Sequence, residues 1–391
     1  MLVRQALAID ISRAPDRTLA NLMRQRRARW CRARTDDRCV TSSAELPMTR
    51  RHLLPFGFLL ARAVGFVASA SAQTPATVTV KMATLVPENS SWFLVLKDVA
   101  AEWHTLSGGK VRVLLYPGGR QGDDPDVVRK MNLGTLNAGV LTSVGIAEIE
   151  RDVYALGIPM AFTDYDEVYA VLERMRPKLE SQMEAKGYIV LNWADGGWNH
   201  FFGQAPIRIP DDMKRMRMFN WAGDPKTTEI WKQLGFDPRP APSTELGMGL
   251  QTGLFEVFLA PPQVAVIARY FEHAKFMTDL PWQLLLGATV IKKQTWEQIP
   301  AELRPRLLQA ARQAGTKLQR VVRSGGMRDI DAMKKTGLTV VPVDARAREL
   351  WQRMAESSYP RIRGNVIPAG AFDDALLFRD EHRRQLGAAK K

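Results

Sequence analysis

The sequence predicts an α/β protein of two domains. Short β-branched runs alternate with stretches of helical apolar spacing, the signature of sheet-and-helix layers. The 319 residues after residue 72 exceed what one core usually holds. No low-complexity linker divides them, so the chain is expected to cross between the domains more than once.

The N-terminal part reads as address rather than fold. Residues 1–47 carry ten arginines and no clear apolar period, and are expected to be a start-site artefact or a disordered leader. Met48-Thr49-Arg50-Arg51-His52 then opens a signal peptide over 48–72: a basic stretch, an apolar run from Leu53 to Val67, and Ala70-Ser71-Ala72 as the cleavage pattern. Pro55 and Arg62 interrupt the run, which is too short for a membrane span. Thr49–Leu54 also resembles a twin-arginine signal, although two arginines suffice for an ordinary basic region.

Removing this segment changes the composition. The whole chain has 55 basic and 41 acidic residues, net +14. Residues 1–72 hold 13 arginines, no lysine and five acids, leaving 42 basic against 36 acidic residues. No basic stripe with interleaved aromatics remains, which argues against nucleic acid. Cys31 and Cys39 also fall in the removed part, so disulfides, thiolate chemistry and cysteine-based zinc sites are not expected.

The mature chain starts with a strand, Thr77–Leu85, a loop with N-cap residues, and a helix spaced by Trp92, Phe93, Val95, Leu96, Val99 and Trp103. A strand over Val111–Tyr116, a helix over Asp126–Leu133 and a buried strand at Ala138–Leu141 follow. This order predicts a parallel sheet with right-handed crossovers. Further strands are expected at Ile189–Trp193, Met216–Asn220, Ala288–Ile291 and Leu338–Val341. Helices are expected at Lys226–Leu234, Thr244–Thr252 and Glu302–Arg323, with Pro305 tolerable only near the first turn, and a last one at the C-terminus. Ligands of open α/β sheets sit beyond the carboxyl ends of the strands. That singles out the loops Pro87–Trp92, Thr142–Gly145, Trp193–Asn199, Phe219–Asp224 and Leu259–Gln263.

Catalytic signatures are missing. Leu106-Ser107-Gly108-Gly109-Lys110 follows a helix and reads as a C-cap and turn, not a phosphate loop. His104, His200, His273 and His382 have no metal-ligand spacing, and a structural role is expected for His200. There is no Gly-x-Ser-x-Gly elbow, and the carboxylates have no spacing that marks an acid/base pair. Triads assemble in space, so an enzyme stays as an alternative.

Tyr116-Pro117-Gly118-Gly119-Arg120-Gln121-Gly122-Asp123 is more specific. With Leu85–Trp92, Asn132–Gly139, Ile158–Phe162, Pro210–Lys214, Leu250–Gly253 and Lys292–Pro300 in order, the chain resembles the DctP family. These are solute-binding proteins of tripartite ATP-independent periplasmic (TRAP) transporters. The resemblance implies a type II-like periplasmic binding fold, each domain a mixed sheet flanked by helices, with a long helix bridging them. It implies 73–195 plus 285–325 as domain I, 196–284 plus 326–391 as domain II, and a ligand cleft between. It implies no cofactor, no metal, no catalysis, a monomer in the periplasm, and membrane subunits as partners. Alternatives are a receptor for another transporter or a sensor, or a periplasmic enzyme on the same fold.

The chain departs from the family where a ligand carboxylate is usually held. The usual clamp arginine falls on Phe219, with Arg217 two residues earlier as a substitute if the register slips. A second common arginine falls on Asn199, and three polar groups become Phe258, Leu259 and Ala260. The candidate ligand residues are Trp92, Trp193, Trp198, Asn199, Arg217, Phe219, Trp221 and Phe258. Two lost cationic forks and added apolar area predict a bulky, partly apolar ligand, such as an aromatic or hydrophobic acid or a neutral compound.

Overall fold

The computed structural model describes residues 77–88 and 90–389; the leader and the export signal expected at 1–47 and 48–72 lie outside the described residues. In the first lobe, β1 (Val78–Thr84) runs parallel to both β2 (Val111–Tyr116) and β3 (Ala138–Thr142). Helices link these strands because each start is capped. Ser90 Oγ accepts the Phe93 amide at 3.1 Å and opens α1 (Ser91–Leu106), which buries Trp92, Phe93, Val95, Leu96 and Trp103. Asp123 caps α2 (Asp124–Asn132), and Asp164 caps α3 (Tyr165–Ala185).

The chain then enters β4 (Tyr188–Gly203), sixteen residues long. The second lobe holds β5 (Arg217–Trp221), α4 (Pro225–Gln233), β6 (Asp237–Ala241), β7 (Val257–Ala260) and β8 (Phe276–Thr278). β9 (Gln283–Lys292) returns, followed by α5 (Arg304–Lys335), β10 (Thr339–Val341), α6 (Ala345–Ile362) and α7 (Ala369–Ala389). β5 is parallel to β6 and touches β7 at Met218–Val257. Phe201 stacks on Trp351 at 5.0 Å in this lobe's core, and burying each contributes about 2–3 kcal/mol.

The lobes share strands. β4 pairs antiparallel with β9 from Tyr188–Lys292 to Asn199–Gln283, then with β7 from His200–Ala260 to Gly203–Val257. β9 also pairs antiparallel with β3, so the first-lobe sheet is mixed rather than purely parallel. A bulge between Asp195 and Trp198 turns β4 at the crossing; Gly197 there has φ +96°, a conformation that favours glycine.

Two expectations change, and the readings of Pro305 and His200 stand. The long helix passes Arg323 and runs to Lys335, because Gly325 and Met333 are buried against the second lobe and this packing outweighs the weak helix propensity of Gly325-Gly326. Pro305 sits in its first turn, where no amide is needed. Residues 326–391 do not all stay with domain II: α7 packs on α3, with Ala371, Phe372 and Ala375 in the first-lobe core. His200 has a structural role, its Nδ1–H donating to the Thr278 carbonyl at 3.0 Å, and burial pushes its pKa below the usual value.

Candidate functional site

A cavity of about 620 Å³ lies where the two sheets face each other. All five loops singled out at strand ends contribute to its wall. The strands that cross between lobes supply its floor: Asn192 and Asp195 from β4, and Gln283 to Thr289 from β9. Asn192 ties three elements together, its Nδ2 donating to Ala311 O at 2.9 Å and its Oδ1 accepting from Thr289 at 3.1 Å. Gly315 of α5 lies so close that a Cβ there would sit 2.9 Å from both Asn192 Cβ and the Trp193 carbonyl.

Among the described residues, no lysine, arginine or histidine lines the cavity; its charged members are Asp195 and Asp224. Both are engaged. Asp195 Oδ2 accepts from the Tyr169 hydroxyl at 2.7 Å and Oδ1 from the Gly197 amide at 3.1 Å. The Arg323 guanidinium lies over the rings of Tyr165 and Tyr169, 4.5 and 4.9 Å from their centroids. Burial raises the Asp195 pKa, against the lowering effect of Tyr169 and Arg323. Asp224 caps α4, accepting from the Thr227 amide at 3.2 Å and the Thr227 hydroxyl at 2.5 Å. Burial and then the Asp224 charge push the neighbouring Tyr154 hydroxyl far above its ordinary pKa, so it stays a donor.

At the mouth, one carboxylate bridges the lobes. Asp123 accepts from Trp221 Nε1 at 2.5 Å and from the amide and hydroxyl of Ser243, each at 2.7 Å, besides capping its own helix. Gly223 completes the contact: a Cβ there would come within 2.6 Å of Pro125. Next to Asp123, Asp124 is fully buried and accepts from the Thr142 amide and hydroxyl at 2.8 and 2.7 Å. Burial pushes its pKa up to about 7.

Four of the eight expected ligand residues line the cavity: Trp92, Asn199, Phe219 and Trp221. Four do not. Trp193 lies in the first-lobe core and donates to Glu180 at 3.0 Å. Trp198 packs on Tyr165, 5.8 Å between ring centroids. Phe258 is fully buried and stacked on Phe202 at 5.1 Å. Arg217 shares a strand face with Phe219 and Trp221 but lies beyond the cavity, bonded to Gly253 O at 2.9 Å and paired with Glu256 at 3.0 Å. The sequence reading missed Gln283, Tyr154, Trp231 and Trp282, which also line the wall. Of these only Gln283 carried an accessible signal, the polar opening of an otherwise apolar strand.

Comparison with known proteins places this geometry. The relatives include the 2,3-diketo-L-gulonate-binding periplasmic protein YiaO of Escherichia coli (strain K12), 26% identical over 237 residues, 60% of this chain and 71% of that one. The C4-dicarboxylate-binding periplasmic protein DctP of Rhodobacter capsulatus is 25% identical over 63% of this chain and 75% of its own. Among solved structures, a TRAP periplasmic solute binding protein from Ralstonia eutropha H16, with bound (S)-2-acetolactate, superposes with a TM-score of 0.73. It is 19% identical, and the match covers 78% of this chain and 99% of that one. One from Sulfurospirillum deleyianum, with bound succinate, gives 0.71 at 19% identity over the same shares. The family described as bacterial extracellular solute-binding protein, family 7 (DctP), matches residues 82–364, and the chain belongs to that family.

Proposed function

We propose that this chain is the periplasmic receptor of a TRAP transporter, capturing one small organic solute between its lobes and delivering it to membrane subunits. The observation that carries the reading is the cavity of about 620 Å³, walled by both lobes and spanned at its mouth by Asp123. That volume suits a small molecule. Relatives named for binding periplasmic solutes support the same role. The signal-like segment at 48–72 supports export. Both cavity carboxylates are held by protein donors, which favours a binding wall over an acid/base pair.

Uptake in cells tests the proposal. The exported protein should be required, together with membrane subunits encoded beside it, for gradient-driven accumulation of the solute it retains on purification. Uptake unaffected by deleting the receptor, or product formed from the solute by the purified protein, would overturn it.

A further inference from the structure

The cavity wall defines the charge of its solute, an inference that rests on the receptor reading above. A carboxylate brought into this wall would meet no lysine, arginine or histidine among the described residues, and its charged neighbours would be Asp195 and Asp224. Burying an anion without a cation or a dense set of donors is costly.

Helix N-termini are the usual substitute, and here one amide of each capped end is already held by the protein. Ser90 Oγ accepts the Phe93 amide, Thr142 Oγ1 the Val144 amide, and Asp224 the Thr227 amide. The short helix from Pro262 to Ile267 follows Pro261, so its N-cap and its first residue have no N–H to offer. Phe219, where a guanidinium was expected, presents a ring braced edge-on against Phe255 at 5.2 Å. Arg217 on the same strand is held away by Glu256 and Gly253.

A cationic solute fares no better. Asp195 already has Tyr169, the Gly197 amide and the nearby Arg323, and Asp224 has Thr227. What the wall does offer is a neutral pair. Asn199 and Gln283 are directly opposed across β4 and β9, both line the cavity, and Asn199 is only 4% exposed. Among the described residues, neither side-chain amide has a hydrogen-bond partner, and neither leaves a sealed-off atom of the kind seen at Trp92 Nε1. An amide both donates and accepts, so the pair suits a carbonyl, carboxamide or hydroxyl.

We propose that the solute is uncharged and largely apolar, an aromatic or alicyclic body whose single polar end sits between Asn199 and Gln283. The aromatic wall supplies the affinity, and the amide pair sets orientation.

Two fluorescent probes that share one ring system test this. 1-N-phenylnaphthylamine is neutral; 8-anilino-1-naphthalenesulfonate adds a sulfonate to the same scaffold. Titrated into the mature protein near neutral pH, the neutral probe should bind about ten-fold tighter or more. Phe219→Arg should reverse that order. Should Phe219→Arg fail to fold, Thr244→Arg, at an exposed position that lines the cavity, should shift the preference in the same direction. Asn199→Leu should leave the neutral probe bound and weaken 2-naphthamide. Equal or tighter binding of the sulfonate by the unaltered protein would overturn the ligand class, as would displacement of the neutral probe by micromolar succinate or galactonate. Either result would leave the receptor reading standing, because that reading is judged by uptake. Failure of both probes to bind would also overturn the ligand class, since a cavity of this size and lining has no ground to refuse the neutral one.

Discussion

The cleft has two ends, and they are held in different ways. At the mouth, the contacts between the lobes include the Asp123 carboxylate, the bond from Gln263 Nε2 to Ser91 Oγ, and the close approach of Gly223 to Pro125. Every bond there can be exchanged for one to water when the lobes part. At the crossing, β4 and β9 are covalently part of both lobes, α5 lies across them, and Asn192 binds strand and helix together. Nothing there can be exchanged for water without unfolding. From this contrast we predict that opening is a bend about the crossing strands, with its free energy set at the mouth.

Substitutions at the two ends test this contrast. The largest effect is expected at the crossing. Gly315→Val drives a side chain into Asn192 and the Trp193 carbonyl, and should cost about 3 kcal/mol of global stability in urea unfolding. An unchanged midpoint would mean that helix and strands are not clamped together.

At the mouth the loss should fall on closure instead. Asp123→Ala removes the acceptor of Trp221 and Ser243 and should weaken solute binding by about 2 kcal/mol, roughly thirty-fold, with a smaller change in melting temperature. If stability fell as far as affinity, Asp123 would be holding the fold rather than the closed state. Scattering in solution would show a larger radius of gyration for the variant at equal ligand saturation.

A pH effect should be felt beside it. The folded Asp124 keeps its proton to about pH 7, whereas the unfolded carboxyl releases it near its ordinary 3.8. Between those values the folded state holds the extra proton, so stability falls as pH rises, by about 1 kcal/mol per pH unit, and levels off above 7. Asp124→Asn should flatten that slope; a slope that persists would assign it to another group. The smallest effect is expected at Arg217→Ala. Its pair with Glu256 is half-exposed, so stability should drop by less than about 1 kcal/mol and solute affinity should not move. A large affinity loss would return Arg217 to the site.

The sequence showed most of the strands, the α/β class and the position of the cleft, because hydrophobic period and strand-end loops are local signals. β5 illustrates the success: Arg217, Phe219 and Trp221 share one face, and the last two line the cavity. Faces of the other strands were not legible. On β7, Phe258 turns into the core and Leu259 lines the cavity; on β4, Trp193 turns away while Asn192 and Ala194 line it. With a side-chain period of two, a bulge or a one-residue slip swaps the faces, and the local mark of the bulge after Asp195 is the pair Gly196-Gly197, which the strand reading did not use. Asp123 was missed because its partners lie about 100 residues away, at Trp221 and Ser243.

The shared strands also bear on how the molecule is made. β3 pairs with β9, joining Ala138 to Ile291, so the first-lobe sheet waits for a strand that follows the whole second lobe. Its outer wall waits longer still, for Ala371 and Phe372 near the C-terminus. A chain synthesised from its N-terminus therefore cannot finish either lobe early, and contacts this distant in sequence make collapse to the native state slow. Strands shared in this way predict that the two lobes unfold in one cooperative transition rather than as two beads on a string.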